Sequence, residues 1–109
     1  MGPAIARVMM PKAAKAADVI EIKSLFRHPM ETGYRVDAVG EAIPRHVVTL
    51  FTVDYDGERI FAVDLSQGVA SNPYIAFYTV ATRSGELLFS WTDDRGETVQ
   101  LSKSLTVLP

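Results

Sequence analysis

The chain has 109 residues, 11 Lys+Arg against 13 Asp+Glu for a formal net charge of −2, 48% hydrophobic residues and no cysteine. That length suits one domain over residues 1–109, and the composition is that of a folded chain rather than a disordered one. The near-neutral charge argues against a nucleic-acid binder, and no apolar run reaches the ~18–20 residues of a membrane span. Without cysteine there is no disulfide, no Cys-ligated zinc, no thiol nucleophile and no iron–sulfur ligation. The segment from Met1 to Arg7 lacks a basic stretch followed by an apolar one, so no signal peptide is expected. Taken alone, that predicts a cytoplasmic protein.

Residues 5–10 read as a short strand ended by Pro11. Residues 11–18 are alanine-rich but shorter than the ~12–15 residues that a helix needs to stand alone, so they read as a loop with at most one helical turn. In residues 18–26, Ile20 and Ile22 face one way and Glu21 and Lys23 the other, the alternation of a half-buried antiparallel strand. Residues 27–46 alternate weakly and are long for a connection, which marks them as a functional or partner-contacting loop. Residues 47–55 resume the pattern, with Val47, Thr49, Phe51, Val53 and Tyr55 on one face. Asp56-Gly57 is a strong hairpin signal, and residues 59–65 return the chain. Strands at 74–80 and 85–92 follow around the Thr82–Gly85 turn, with Leu87, Phe89 and Trp91 sharing a face. After a turn at Asp93–Glu97, residues 98–107 close the chain with Val99, Leu101, Leu105 and Val107 inward.

Seven strands and no long helix predict an all-β, immunoglobulin-like antiparallel sandwich of two sheets, with a small barrel as its rival. The likeness is one of architecture, because the Cys…Trp…Cys spacing of antibody domains is missing. No internal repeat is visible.

Catalytic motifs are missing from the sequence: it has no G-x-S-x-G, no G-x-G-x-x-G and no phosphate-binding P-loop. His28 and His46 stand at the two ends of the 27–46 loop, which could bring them together with Glu31 or Asp37 as metal ligands. They read instead as surface loop histidines, and neither a metal site nor a cofactor is assigned. Asp93–Glu97 lacks the spacing of a calcium loop and reads as a hairpin turn. The chain therefore reads as a binding or assembly module.

Arg27, His28, Met30, Glu31 and Tyr34 are the expected recognition loop, since Arg, Met and Tyr are enriched at protein contacts. Asn72 and Tyr74, flanking Pro73, are expected beside it. The strand at 74–80 is apolar on both faces, Tyr74, Ala76, Tyr78 and Val80 on one and Ile75 and Phe77 on the other. A partner sheet over the outer face explains that, and so does a central strand covered on both sides.

Four strings carry a further signal: Val8-Met9-Met10-Pro11-Lys12-Ala13-Ala14-Lys15, Arg27-His28-Pro29-Met30-Glu31-Thr32-Gly33, Ala70-Ser71-Asn72-Pro73-Tyr74 and Trp91-Thr92-Asp93-Asp94. Together they resemble the SoxZ family, the Z subunit of the SoxYZ sulfur carrier of thiosulfate oxidation. The resemblance runs from about residue 5 to about residue 107. It implies an immunoglobulin-like sandwich with no catalytic residue of its own. It also implies a heterodimer with a SoxY-like subunit, whose C-terminal cysteine carries the sulfur intermediates to other thiosulfate-oxidising enzymes. It further implies a periplasmic location, reached by export with the partner, which replaces the cytoplasmic expectation. Self-association is left open for the chain without its partner. Two other readings stay open: an independent carbohydrate- or small-ligand-binding sandwich, and a metal-dependent enzyme using His28 and His46.

Overall fold

Among the described residues, period-2 alternation in the sequence emerges as eight strands: β1 (Ala6–Met9), β2 (Ala13–Lys15), β3 (Val19–Phe26), β4 (Val48–Tyr55), β5 (Glu58–Asp64), β6 (Tyr74–Val80), β7 (Gly85–Asp93) and β8 (Thr98–Leu108). The computed structural model describes residues 6–28, 30, 36–43, 46–65 and 72–109. One sheet has the order β1-β3-β6 and the other β2-β8-β7-β4-β5, so the sandwich expectation holds.

The alanine-rich segment, expected as a loop, supplies the eighth strand. β2 runs parallel to β8, with Ala13 opposite Thr106 and Lys15 opposite Leu108. Its residues are poor strand formers, but β8 offers open backbone groups. The Thr106 N–H donates to the Lys12 carbonyl and the Ala16 N–H to the Leu108 carbonyl, both at 3.0 Å. Tertiary pairing thus overrides local propensity.

The core lies between the inner faces of the two sheets. From β3 it takes Ile20, Ile22, Ser24 and Phe26; from β4 Phe51, Val53 and Tyr55; from β7 Leu87, Phe89 and Trp91. Each large apolar side chain removed from water contributes about 1.5–3 kcal/mol. The buried Ser24 hydroxyl is satisfied by donating to the Ile75 carbonyl at 2.8 Å. Aromatic pairs connect the sheets: Phe26 stacks on Trp91 with centroids 5.1 Å apart, and Phe61 on Phe77 at 4.4 Å.

Asp56 and Gly57 both have positive φ, 49° and 84°, as the two-residue hairpin predicted at Asp-Gly requires. A second turn occurs twice, in Asp37–Glu41 and Asp93–Glu97, both Asp-x-x-Gly-Glu. In each the aspartate N–H donates to the glutamate carbonyl, at 2.8 and 2.9 Å, and Oδ1 accepts two later N–H groups. Gly40 and Gly96 supply the left-handed conformation, with φ of 84° and 83°.

Tyr55 ties the β4 hairpin to the turn after β6. Its hydroxyl accepts the N–H groups of Thr82 and Arg83 at 3.3 and 3.2 Å and donates to the Arg83 carbonyl. Tyr55→Phe strips both amides of an acceptor and is expected to cost about 1–3 kcal/mol of unfolding free energy. Urea denaturation measures it, and an unshifted midpoint would contradict this role.

Candidate functional site

At one end of the sandwich, the end of β3 meets the start of β4 and the end of β7. His28 follows β3, and Asn72, before β6, extends the β3–β6 pairing beyond its last rung. The Asn72 Oδ1 accepts the His28 N–H at 2.9 Å, and its own N–H donates to the His28 carbonyl at 2.7 Å. Asn72 adopts positive φ to do so, a conformation that asparagine tolerates better than most residues. The His28 ring is stacked near Phe26 at 5.9 Å and meets the His46 ring edge-on at 4.5 Å. Its Nδ1 accepts the Met30 N–H at 3.0 Å, a bond worth about 1 kcal/mol.

His46 precedes β4, and its Nε2 lies 2.9 Å from Asp93 Oδ2. Asp93 reaches it because β4 and β7 pair antiparallel with Val48 opposite Asp93. The Asp93 Oδ1 is taken by the N–H groups of Arg95 and Glu97, both at 2.9 Å, which aims Oδ2 at the histidine. One ligating atom from each of His28, His46 and Asp93 lies within 4.8 Å of the other two, so the three can share an ion. Burial first, then the neighbouring His46, pushes the His28 pKa down. For Asp93 burial pushes upward, but the His46 hydrogen bond and the Glu97 and Arg95 amides outweigh it and hold the carboxyl below its usual range.

The expected recognition residues divide. His28 is 8% exposed and Met30 5%, so neither presents its side chain to a partner. Met30 turns inward because its thioether accepts the Val48 N–H at 3.2 Å among core residues. Reading both histidines as surface loop residues is likewise corrected for His28. Arg27, Asn72 and Tyr74 are exposed. Glu31 and Tyr34 lie outside the described residues. Asp37, one suggested third ligand, is committed to its own turn. Asp93 takes that place, and only the β4–β7 register could have pointed to it.

A second surface is the outer face of the three-stranded sheet. β6 lies at its edge, not between two covered layers. Tyr74 and Tyr78 are 55% and 67% exposed, and with Val80, Val19 and Met9 they form an apolar outer face. Glu21 and Lys23 interrupt it; Glu21 accepts the Tyr78 hydroxyl at 3.0 Å and lies 3.6 Å from the Lys23 ammonium. Monomers seldom expose such a surface without use.

The sequence profile of a family described as sulphur oxidation protein SoxZ matches residues 7–104. The chain belongs to the SoxZ family. No curated protein sequence matches it. Among solved structures, the sulfur carrier protein SoxY from Chlorobium limicola f thiosulfatophilum superposes with a TM-score of 0.68 at 10% identity, over 98% of this chain and 82% of that one. A superoxide reductase (neelaredoxin) from Ignicoccus hospitalis gives 0.73 at 16% identity, over 96% and 81%. A CARDB domain from Pyrococcus furiosus, solved in complex with di-metal ions, gives 0.55 at 14% identity, over 95% and 92%. At these identities the structures share the fold with this SoxZ-family chain, and the family itself places the chain in sulfur oxidation.

The lowered His28 pKa sets the sign of a pH effect. Folded, the ring stays neutral below its ordinary value of 6.5, whereas the unfolded chain takes up the proton. The contribution is complete above the ordinary value and is lost as the pH falls below it. Urea midpoints in EDTA-containing buffer are expected to drop from about pH 7.5 to about pH 5.5, and the drop should shrink in His28→Gln. Asp93 acts only near and below its ordinary 3.8, outside that window. An equal drop in both proteins would contradict the assignment.

Proposed function

We propose that this SoxZ-family chain is the non-catalytic subunit of a heterodimeric sulfur-compound carrier. Its partner is a SoxY-like subunit whose C-terminal cysteine holds thiosulfate-derived intermediates. Other thiosulfate-oxidising enzymes meet the pair transiently. The supporting observation is an exposed apolar outer face, on β1, β3 and β6, in a chain of this family. A lasting heterodimer wants a large contact, apolar at its centre and polar at its rim. Tyr74, Tyr78 and Val80 suit the centre, and Arg27 and Asn72 suit the rim. The pair works in the periplasm and is exported as one folded unit under the partner's signal.

Native mass spectrometry of the tagged chain recovered from its host's periplasm tests this reading. A one-to-one complex with a cysteine-bearing subunit carrying reducible sulfur adducts is expected. A bare monomer confined to the cytoplasm contradicts it. Within the complex, Tyr74→Ala should weaken association by about 1–2 kcal/mol, roughly tenfold in Kd. An unchanged titration would remove Tyr74 from the interface.

A further inference from the structure

Among the described residues, two buried polar atoms lack a partner, His28 Nε2 and Trp91 Nε1. Buried polar groups are almost always satisfied, so each calls for an explanation. Both residues line one cavity of about 170 Å³, together with His46, Asp93, Arg27 and Glu97. His28 is more than nine-tenths buried, while His46 and Asp93 are partly exposed, so the cavity has a wet side.

We propose that His28, His46 and Asp93 hold a divalent first-row transition ion, and that Trp91 donates its indole N–H to a water on the ion's open position. One occupant then satisfies both orphaned atoms. Two imidazoles and one carboxylate, with a position left for water, are a donor set suited to zinc, cobalt or ferrous iron rather than to calcium or magnesium. In a tetrahedral shell with bonds of about 2.0–2.1 Å, neighbouring donor atoms stand about 3.3 Å apart. Here His46 Nε2 and Asp93 Oδ2 are 2.9 Å apart, and one donor atom from each of the three residues falls within 4.8 Å of the others, so the shell closes with shifts of up to about 1.5 Å.

The surrounding contacts orient these donors as second-layer partners of a metal site do. Two amides fix one Asp93 oxygen and leave the other aimed inward. Asn72 grips both backbone groups of His28. Glu97 and Arg27 bring one charge of each sign to the cavity, so together they neither favour nor oppose a cation. The proton arrangement sets one cost. The Met30 amide on Nδ1 places the neutral ring's proton on Nε2. Binding through Nε2 moves that proton to Nδ1 and ends the Met30 contact. His46 makes the same tautomer change, giving up its bond to Asp93. Both rings remain neutral; coordinate bonds replace the ring nitrogens' lost contacts, while the Met30 amide must turn to another acceptor.

The test uses the full untagged chain, stripped with chelator and titrated with zinc chloride or cobalt chloride. Calorimetry should give one zinc per chain. Cobalt should develop the visible absorption of a low-coordinate nitrogen–oxygen site. Zinc should move the Met30 amide and the Trp91 indole N–H resonances and convert both imidazoles to the Nδ1-protonated form. His46→Ala and Asp93→Asn, on the wetter side of the cavity, should each weaken zinc binding at least about 100-fold while keeping the native amide spectrum. They keep the proposal testable if His28→Ala fails to fold. No stoichiometric uptake by the native chain overturns the site, and so does uptake that both variants retain.

Discussion

The stack of Phe26 on Trp91 is the contact on which the rest of the molecule depends. Phe26 is the last residue of β3 and Trp91 sits near the end of β7, so their rings, 5.1 Å apart, close the two sheets at one end. Phe51 packs on the same indole at 5.0 Å, which places the start of β4 beside it. His28 and His46, just outside β3 and β4, therefore meet above an aromatic floor, and Asp93 arrives two residues beyond Trp91. Pulling this stack apart would separate the sheets and disperse the cluster together. The Phe61–Phe77 stack makes a second tie between the same sheets.

The same alternation that buries one face of β3 and β6 turns the other outward. On the outward side charged and apolar residues mingle: Glu21 and Lys23 lie among Val19, Tyr74, Tyr78 and Val80. The register sets Glu21 opposite Tyr78 and Leu25 opposite Tyr74, so the two strands present one continuous surface. The five-stranded sheet supplies most of the core aromatics, and the three-stranded sheet spends its outer side elsewhere. A division of that kind suits a subunit whose work is to carry a partner rather than to enclose a substrate. The histidine cluster sits at the end of the same β3 strand, next to that surface but facing inward.

Much of the fold was legible because burial on one face leaves a period-2 imprint. Phe51, Val53 and Tyr55, or Leu87, Phe89 and Trp91, could hardly be read otherwise. β2 was not legible: three residues, two of them alanine, form a strand only because β8 is there to receive them. The 27–46 loop was read by residue type, and type does not tell direction. Met30 is of a type common at interfaces and His28 shares its loop, yet the end of the sandwich draws both inward. The pairing of His46 with Asp93 spans 47 positions and depends on a strand register, so spacing along the chain could not reveal it. Asn72 was singled out for its turn, whereas its side chain serves to clamp His28.

The central claim is that the outer face of β1, β3 and β6 receives a SoxY-like partner. Hydrogen–deuterium exchange on this chain, with and without that subunit, tests it most directly. The account predicts slowed exchange along residues 19–26 and 74–80, with β8 unchanged. Protection confined to the five-stranded sheet, with β6 unaffected, would contradict it.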